Sequence, residues 1–169
     1  MRRPEPHQAL GNAIILLGSN IEPEKNIRVG AEKLAQHFSM RQNSSVWITP
    51  AVGTSGPDFY NAAVMCSTDL TAEAVKYSVL RPIEEQMGRV RTSDKYAPRT
   101  MDLDVIILNG IVLESRLWDT AFILLPVAEL IPDWESPLSR KRLKVLADEI
   151  LPVSGAHRLH NFPLFVTKP

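Results

Sequence analysis

Two aspartates separated by a single residue are the sharpest chemical feature of the sequence. Asp102 and Asp104 stand at the start of residues 102–108, whose other side chains are apolar and predict a β-strand. Because alternate side chains of a strand share a face, the two carboxylates should point the same way. They repel when both are ionised, and a divalent cation with oxygen ligands, such as Mg²⁺, relieves that repulsion and also accepts phosphate oxygens. The opposite packing layer is expected to receive Leu103, Val105 and Ile107.

A basic loop directly precedes the acidic pair and decides how we interpret it. Within a short stretch that has one acid, Asp94, this loop carries Arg89, Arg91, Lys95 and Arg99. Taken alone, the pair is most simply two incidental surface acids, and the loop is most simply solvated. Together they favour phosphoryl-type chemistry, because arginine forks bind phosphate oxygens in pairs and a metal bridges carboxylates to phosphates. Tyr96 would give the loop an aromatic tip that covers a bound ligand.

A third feature is an aromatic side chain beside an amide. Phe59 and Asn61 are two residues apart in a predicted strand and therefore share one face. Such a pair can stack on a flat heterocycle and recognise its hydrogen-bonding edge, although alone it is more simply a core phenylalanine and a strand-edge asparagine. The Gly18-Ser19-Asn20 segment is too short for a phosphate-binding loop, so we interpret it as a strand-to-helix turn.

Hydrophobic periodicity predicts the elements that position these residues. Strands are expected at 13–17, 44–49, 59–67 and 102–108, with a loop at 50–57 and a hairpin turn at Asn109-Gly110 leading into 111–114. One helix should run from Pro23 to about His37. A second, capped by Thr71, should kink or end early at Pro82. The order strand, helix, strand, strand, helix, strand predicts an α+β, ferredoxin-like split βαβ sandwich with an antiparallel sheet and packed helices.

Length and composition restrict the class of protein. A chain of 169 residues predicts a single domain over 1–169, with 1–12 as a loose lead-in. The 19 basic and 19 acidic residues cancel, so no global field attracts nucleic acid or membrane. The single cysteine, Cys66, excludes an internal disulfide and a cysteine-rich zinc site. With no apolar run long enough for a signal peptide or a membrane span, we expect a cytoplasmic monomer that acts on small molecules.

Several short segments together resemble the 6-hydroxymethyl-7,8-dihydropterin pyrophosphokinase family of folate biosynthesis. In chain order they are Leu17-Gly18-Ser19-Asn20, Thr49-Pro50 with Gly53, Phe59-Tyr60-Asn61-Ala62-Ala63-Val64, Ile83-Glu84, Met87-Gly88-Arg89-Val90-Arg91, Pro98-Arg99-Thr100-Met101-Asp102-Leu103-Asp104-Val105, Phe122-Ile123-Leu124-Leu125-Pro126 and Glu129-Leu130-Ile131-Pro132. Their order and spacing cover roughly residues 13 to 135. The resemblance implies an enzyme that moves a diphosphate from ATP to a pterin alcohol and releases AMP.

The resemblance also implies a role for each matching residue. Asp102 and Asp104 would hold two magnesium ions on the ATP triphosphate, and Arg89 and Arg99 would close over it as mobile-loop catalytic arginines. The nucleotide would also contact Glu84 and Arg91, with Arg116 as a further phosphate contact. The pterin site would be formed by Thr49, Pro50, Val52, Phe59, Asn61 and Phe122, with Tyr96 as the aromatic that seals it.

The sequence departs from the family between Leu117 and Phe122. The family has a longer segment there, with a histidine and an arginine that contact ATP, so the resemblance implies weaker nucleotide binding in this chain. Two alternatives therefore stay open. One is a pterin-binding protein with weak or no kinase activity, and the other is a nucleotidyltransferase, although Ser19 and Asp102 lie far apart for that class.

Overall fold

A seven-stranded antiparallel sheet organises residues 12–166, the part of the chain that the computed structural model describes. Its strands are β1 (Asn12–Ser19), β2 (Ser39–Asn43), β3 (Trp47–Thr49), β4 (Phe59–Ser67), β5 (Asp102–Leu108), β6 (Ile111–Val112) and β7 (His157–Arg158). They lie in the order β6-β5-β1-β4-β3-β7, and β2 also pairs with β4. Every pairing is antiparallel.

Helices cover both faces of this sheet. They are α1 (Pro23–His37), α2 (Ala72–Ala74), α3 (Arg81–Gln86), α4 (Ala121–Leu130) and α5 (Leu143–Ser154), with a π-helical turn at Val75–Leu80 and a 3₁₀ turn at Ser115–Trp118. The inner strands run β5-β1-β4-β3, and α1 and the α2–α3 stretch form the two crossovers. This is the split βαβ arrangement, so the predicted ferredoxin-like α+β fold is confirmed.

The alternation of β1 divides the apolar core between the two faces. Ile15 and Leu17 pack with α1 and with the π-helical turn, whereas Ile14 and Leu16 pack with α4 and α5. Because successive strand side chains point to opposite faces, a continuously apolar strand must be covered on both sides. The buried run predicted at 13–17 is therefore the centre of the molecule.

The strand predicted at 44–49 has the wrong boundaries. Residues 44–46 are not in a strand, and the pairing is divided between β2 and the short β3. The side chains of β2 are mostly exposed, so its sequence shows no apolar alternation. The strand exists because β4 offers it hydrogen-bonding partners along its edge.

The helix predicted to kink or end early at Pro82 continues to Gln86. Before the proline, the backbone changes to π-helical hydrogen bonding, in which the Arg81 N–H donates to the Lys76 carbonyl. Proline lacks an N–H and crowds the preceding turn, and the wider turn accommodates both effects. The Thr71 cap is confirmed, because its hydroxyl accepts from the Ala74 N–H at 3.2 Å.

A bulge alters the predicted alternation of β5. Ile14 pairs with Ile107 while Ile15 pairs with Val105, so Ile106 is the extra residue. Leu103 and Val105 lie in the α1 layer as predicted, but Ile107 packs with α4 on the other face.

The remaining predictions concern the chain's turns and ends. Asn109 and Gly110 both have positive φ and form the predicted hairpin turn, although β6 is shorter than expected. Among residues 12–166, no helix is long and apolar enough to cross a membrane. The predicted lead-in lies, up to residue 11, outside the described residues.

Candidate active site

One cleft of about 490 Å³ opens where β1, β4 and β5 meet the basic loop. Every residue that the sequence assigned to the site lines it. They are Thr49, Pro50, Val52, Phe59, Asn61, Glu84, Arg89, Arg91, Tyr96, Arg99, Asp102, Asp104, Arg116 and Phe122. The fold therefore brings together segments from most of the chain.

Gly18 forms the floor of the cleft between its two ends. It pairs with Asn61 of β4 on one side and with Asp102 of β5 on the other. A Cβ at this position would lie 3.1 Å from Oδ1 of Asn61 and 3.8 Å from Cδ1 of Phe59. The missing side chain thus leaves room for the amide and the ring, and the sequence analysis missed this function of the turn.

The amide end of the cleft is held by a buried hydrogen bond. Nδ2 of Asn61 donates to Oγ1 of Thr49 at 2.7 Å, and both side chains are buried. This bond fixes the amide orientation, so Oδ1 is directed to the region above Gly18. Phe59 stands two residues earlier on β4, half-buried at the same end.

The acidic end holds Asp102 and Asp104 on one face of β5, as the alternation predicted. The pKa of Asp104 is raised to about 6, first by burial in the cleft wall and then by the negative charges of Asp102, Glu84 and Glu114. The side chain nevertheless remains open to the cleft. Crowded carboxylates of this kind are stabilised by a cation.

Arginines of the basic loop provide part of that positive charge. Arg89 contacts Asp102, and its Nη1 lies 2.7 Å from Oε1 of Glu84. Nη1 of Arg99 lies 2.5 Å from Oδ2 of Asp102. Arg91 lies 2.5 Å from the other oxygen of Glu84. The site is thus a compact network of alternating charges.

Glu84 anchors this network from α3. It is 2% exposed and accepts the N–H of Leu103 at 2.9 Å. Burial raises its pKa, and the bonds from Leu103 and Arg89 counter only part of that rise. A buried carboxylate is retained where its partners satisfy it, so Glu84 acts as the support for Arg89 and Arg91.

Asn20 ties the two ends of the cleft together. Its Oδ1 accepts the N–H of Arg99 at 2.7 Å, and its Nδ2 donates to the Pro57 carbonyl at 3.4 Å. The backbone N–H of Asn20 also donates to the Arg99 carbonyl at 3.1 Å. The turn after β1 is therefore a link between the basic loop and the strand that carries Phe59.

The cleft also contains cations to which the family resemblance gave no individual role. Lys76 and Arg81 line it from the helical wall, and Lys95 lines it from the basic loop. Lys76 and Arg81 are five residues apart, which does not place two side chains together on an α-helix. Only the π-helical turn, with its bonds between residues five apart, brings them to the same side.

The carboxylates of the cleft suit the expected magnesium. Among residues 12–166, no group of three or more His, Cys, Asp or Glu side chains encloses a metal position. Mg²⁺ is usually held by one or two carboxylates together with substrate phosphates and water. Asp102 and Asp104 fit that pattern, because both offer carboxylate oxygens, share one face of β5 and stand beside arginines that could bind phosphate.

Comparison with known proteins identifies the family of this chain. The model of the 7,8-dihydro-6-hydroxymethylpterin-pyrophosphokinase (HPPK) family matches residues 14–132. The chain is 31% identical over 156 residues to the 2-amino-4-hydroxy-6-hydroxymethyldihydropteridine pyrophosphokinase of Synechocystis sp., covering 86% of this chain and 78% of that protein. It is 37% identical over 133 residues to the protein of the same name from Methylorubrum extorquens, covering 72% and 83%.

Solved structures agree on the fold. A crystal structure of Plasmodium falciparum HPPK-DHPS A437G with pteroate matches with a TM-score of 0.65 and 12% identity, over 87% of this chain and 46% of that one. The family match includes the acidic pair, the basic loop, Phe59 and Asn61, and it spans most of the chain. The resemblance found in the sequence is confirmed, and the chain belongs to the 7,8-dihydro-6-hydroxymethylpterin-pyrophosphokinase family.

Proposed function

We propose that this cleft transfers a diphosphate from ATP to the hydroxymethyl group of 6-hydroxymethyl-7,8-dihydropterin, with Mg²⁺, as a step of folate biosynthesis. Family membership makes the chain a pterin pyrophosphokinase, a transferase with ATP as co-substrate. The residue assignment rests on one observation, which is that the two ends of the cleft differ in chemical character. Carboxylates and arginines gather at one end, and an aromatic ring with a fixed amide stands at the other.

Asp102 and Asp104 would hold the magnesium ions, two by the family resemblance, at the acidic end. Bound there, Mg²⁺ would neutralise charge on the transferred diphosphate. The arginines supply the remaining positive charge, because Arg89 and Arg99 already lie against Asp102 and can exchange that carboxylate for phosphate oxygens. Arg91, Glu84 and Arg116 support the same end.

The pterin would lie at the amide end. Asn61, fixed by Thr49, presents an oxygen to the N–H edge of the heterocycle, while Phe59 and Phe122 offer faces for stacking. Pro50 and Val52 line the cleft from the loop after β3, and Tyr96 lines it from the basic loop, where its ring would cover a bound pterin. The guanidinium carbon of Arg116 lies 5.8 Å from the centre of the Phe122 ring. A residue of the phosphate end therefore stands next to a residue of the pterin end.

The reaction needs no covalent protein intermediate. The hydroxymethyl oxygen forms a bond to the β-phosphorus of ATP, the bond from that phosphorus to the oxygen bridging to the α-phosphate breaks, and AMP leaves. The hydroxyl proton is released to water. Positioning and charge neutralisation provide the catalysis, which is what a cleft with two fixed ends supplies.

The proposal is tested by product analysis with ATP, Mg²⁺ and the dihydropterin alcohol. We expect AMP and a diphosphorylated pterin in equal amounts. Pyrophosphate with a nucleotidylated pterin would identify a nucleotidyltransferase instead. Tight pterin binding without AMP release would identify a binding protein.

The remaining assignments are proposals of the same kind. We propose a cytoplasmic monomer with a single domain and no nucleic-acid or membrane partner. The balanced charge, with 19 basic and 19 acidic residues, supports the absence of a nucleic-acid or membrane partner, because no global field attracts either. Light scattering at working concentration tests the oligomeric state.

A further inference from the structure

The cations of the cleft divide into two groups according to their partners. Each of the four arginines assigned above contacts a carboxylate of this chain: Arg89, Arg91, Arg99 and Arg116. Within residues 12–166, the other cleft cations contact no carboxylate: Lys76, Arg81 and Lys95. The second group is therefore free to bind an anion without first breaking an ion pair.

Arg81 has the most defined position in that second group. It is partly buried in the cleft wall, and its Nε, shielded from solvent, has no hydrogen-bond partner within the described part of the chain. A shielded donor without a partner is costly, and native proteins seldom keep one that nothing satisfies. A ligand in the cleft that brings an acceptor to this guanidinium would remove the cost.

Tyr77 holds the Arg81 guanidinium in place. The guanidinium carbon lies 4.6 Å from the centre of the Tyr77 ring, and the ammonium of Lys76 lies 5.5 Å from the same centre. A cation over an aromatic face is attracted to it while its N–H groups remain available at the edge. The ring thus orients Arg81 but leaves its positive charge in place. A carboxylate in the same position would neutralise that charge.

The position of Arg81 on the helix fixes which end of the cleft it serves. Glu84, the anchor of the arginine network, follows three residues later on the helix. Residues three apart are neighbours on a helix surface, so Arg81 stands beside the acidic end rather than the amide end. The π-helical turn adds Lys76 to the same wall.

We propose that Arg81, oriented by Tyr77, is an additional phosphate-binding residue of this cleft, with Lys76 contributing positive charge. The inference rests on the proposed function, because it assigns Arg81 to the phosphates of the nucleotide. It also supplies a contact in a chain whose sequence lacks the family's longer segment before Phe122. Arg81 binds the phosphate chain as such, so adenosine is not required for the contact.

Calorimetry on Arg81→Gln tests the assignment. We expect about tenfold weaker binding of a non-hydrolysable ATP analogue with Mg²⁺, and a similar loss for inorganic triphosphate with Mg²⁺. Binding of the pterin alone should be unchanged, and KM for ATP should rise more than KM for the pterin. Arg81→Lys should recover part of the loss, because it keeps the charge but not the planar fork.

Two controls separate binding from folding and from net charge. Arg140→Gln makes the same charge change at a residue that is outside the cleft, largely exposed and paired with Glu135, and it should leave both affinities unaltered. Tyr77→Leu should weaken triphosphate binding in the wild-type background but add little to Arg81→Gln, because it acts through Arg81. Thermal unfolding should show that Arg81→Gln and Tyr77→Leu both fold.

The outcomes are distinct. Unchanged analogue binding in Arg81→Gln overturns the inference while leaving the proposed function intact. A loss for the analogue without a loss for triphosphate overturns the phosphate assignment. A wild-type chain that binds neither probe overturns the proposed function as well.

Discussion

Oδ1 of Asn20 accepts a hydrogen bond from the backbone N–H of Arg99 at 2.7 Å, across 79 residues of sequence. The same side chain reaches the Pro57 carbonyl, and Asn20 is 5% exposed. One buried amide thus joins the basic loop to the segment before β4.

Asn20→Ala should impair both ends of the cleft. The change leaves the Arg99 N–H without its partner, and an unsatisfied buried donor costs about 1–3 kcal/mol of unfolding free energy. Because Asn20 also links to Pro57, we expect KM to rise for ATP and for the pterin together. Denaturant unfolding and steady-state kinetics measure the two effects. Asn43→Ala, which removes an exposed amide from β2, is the matched control, and an equal effect there would contradict the linking role.

Asp102→Ala and Asp104→Ala should each abolish turnover while leaving the fold intact. Both carboxylates face the cleft beside the arginines and share one face of β5, so either substitution would leave the metal a single carboxylate of this pair. AMP release should fall by more than the factor of roughly ten to a hundred that one charge-assisted hydrogen bond provides. Near-normal AMP release from either variant would rule out metal binding by this pair.

Asp104→Asn should stabilise the metal-free protein at pH 7. The pKa of Asp104 is raised to about 6 from 3.8, so ionising this group costs folding stability as the pH rises through that window. At pH 7 the wild-type fold is destabilised by the ionised Asp104, whereas Asp104→Asn has no group to ionise there. Because Asp104 opens to solvent, which screens its charge, the gain should be on the order of 0.5–1 kcal/mol. Thermal unfolding in chelator, at pH 4 and at pH 7, should show the gain only at the higher pH.

The segment from Arg89 to Thr100 should become ordered when nucleotide binds. Carboxylates hold the arginines at its two ends, but the residues between Arg91 and Arg99 are mostly exposed and few apolar side chains anchor them. Hydrogen exchange of this segment should slow on addition of Mg²⁺ and a non-hydrolysable ATP analogue. Exchange that is already slow and does not change would count against this expectation.

Cys66 should not react with thiol reagents in the native protein. It is fully buried in β4, and burial raises the pKa of its thiol to about 11. Labelling at pH 8 should be absent until denaturant is added, and the single cysteine makes the result unambiguous. The neutral thiol is favoured in the fold, so its contribution to stability is lost as the pH rises from 9.0 towards 11. Rapid labelling without denaturant would show that this strand opens locally.

The sequence determined the elements whose signal is local. The apolar run of β1, the helical spacing after Pro23 and the strand Phe59–Ser67 were all predictable, because side-chain period follows directly from backbone geometry. The same period placed Asp102 and Asp104 on one face. The family's short motifs then indicated which residues would form the site, and every residue assigned to the site lines the cleft.

Only the tertiary structure decided the features that depend on distant partners. The polar strand β2 exists because β4 pairs with it, and the bulge at Ile106 appears only in register with β1. Likewise, Arg89 is shared by Glu84 and Asp102, and Arg81 reaches the cleft because a π-helical turn accommodates Pro82. The energies of strand pairing and of ion pairs come from contacts between segments that are remote in sequence. The local periodicity of the sequence therefore cannot predict them.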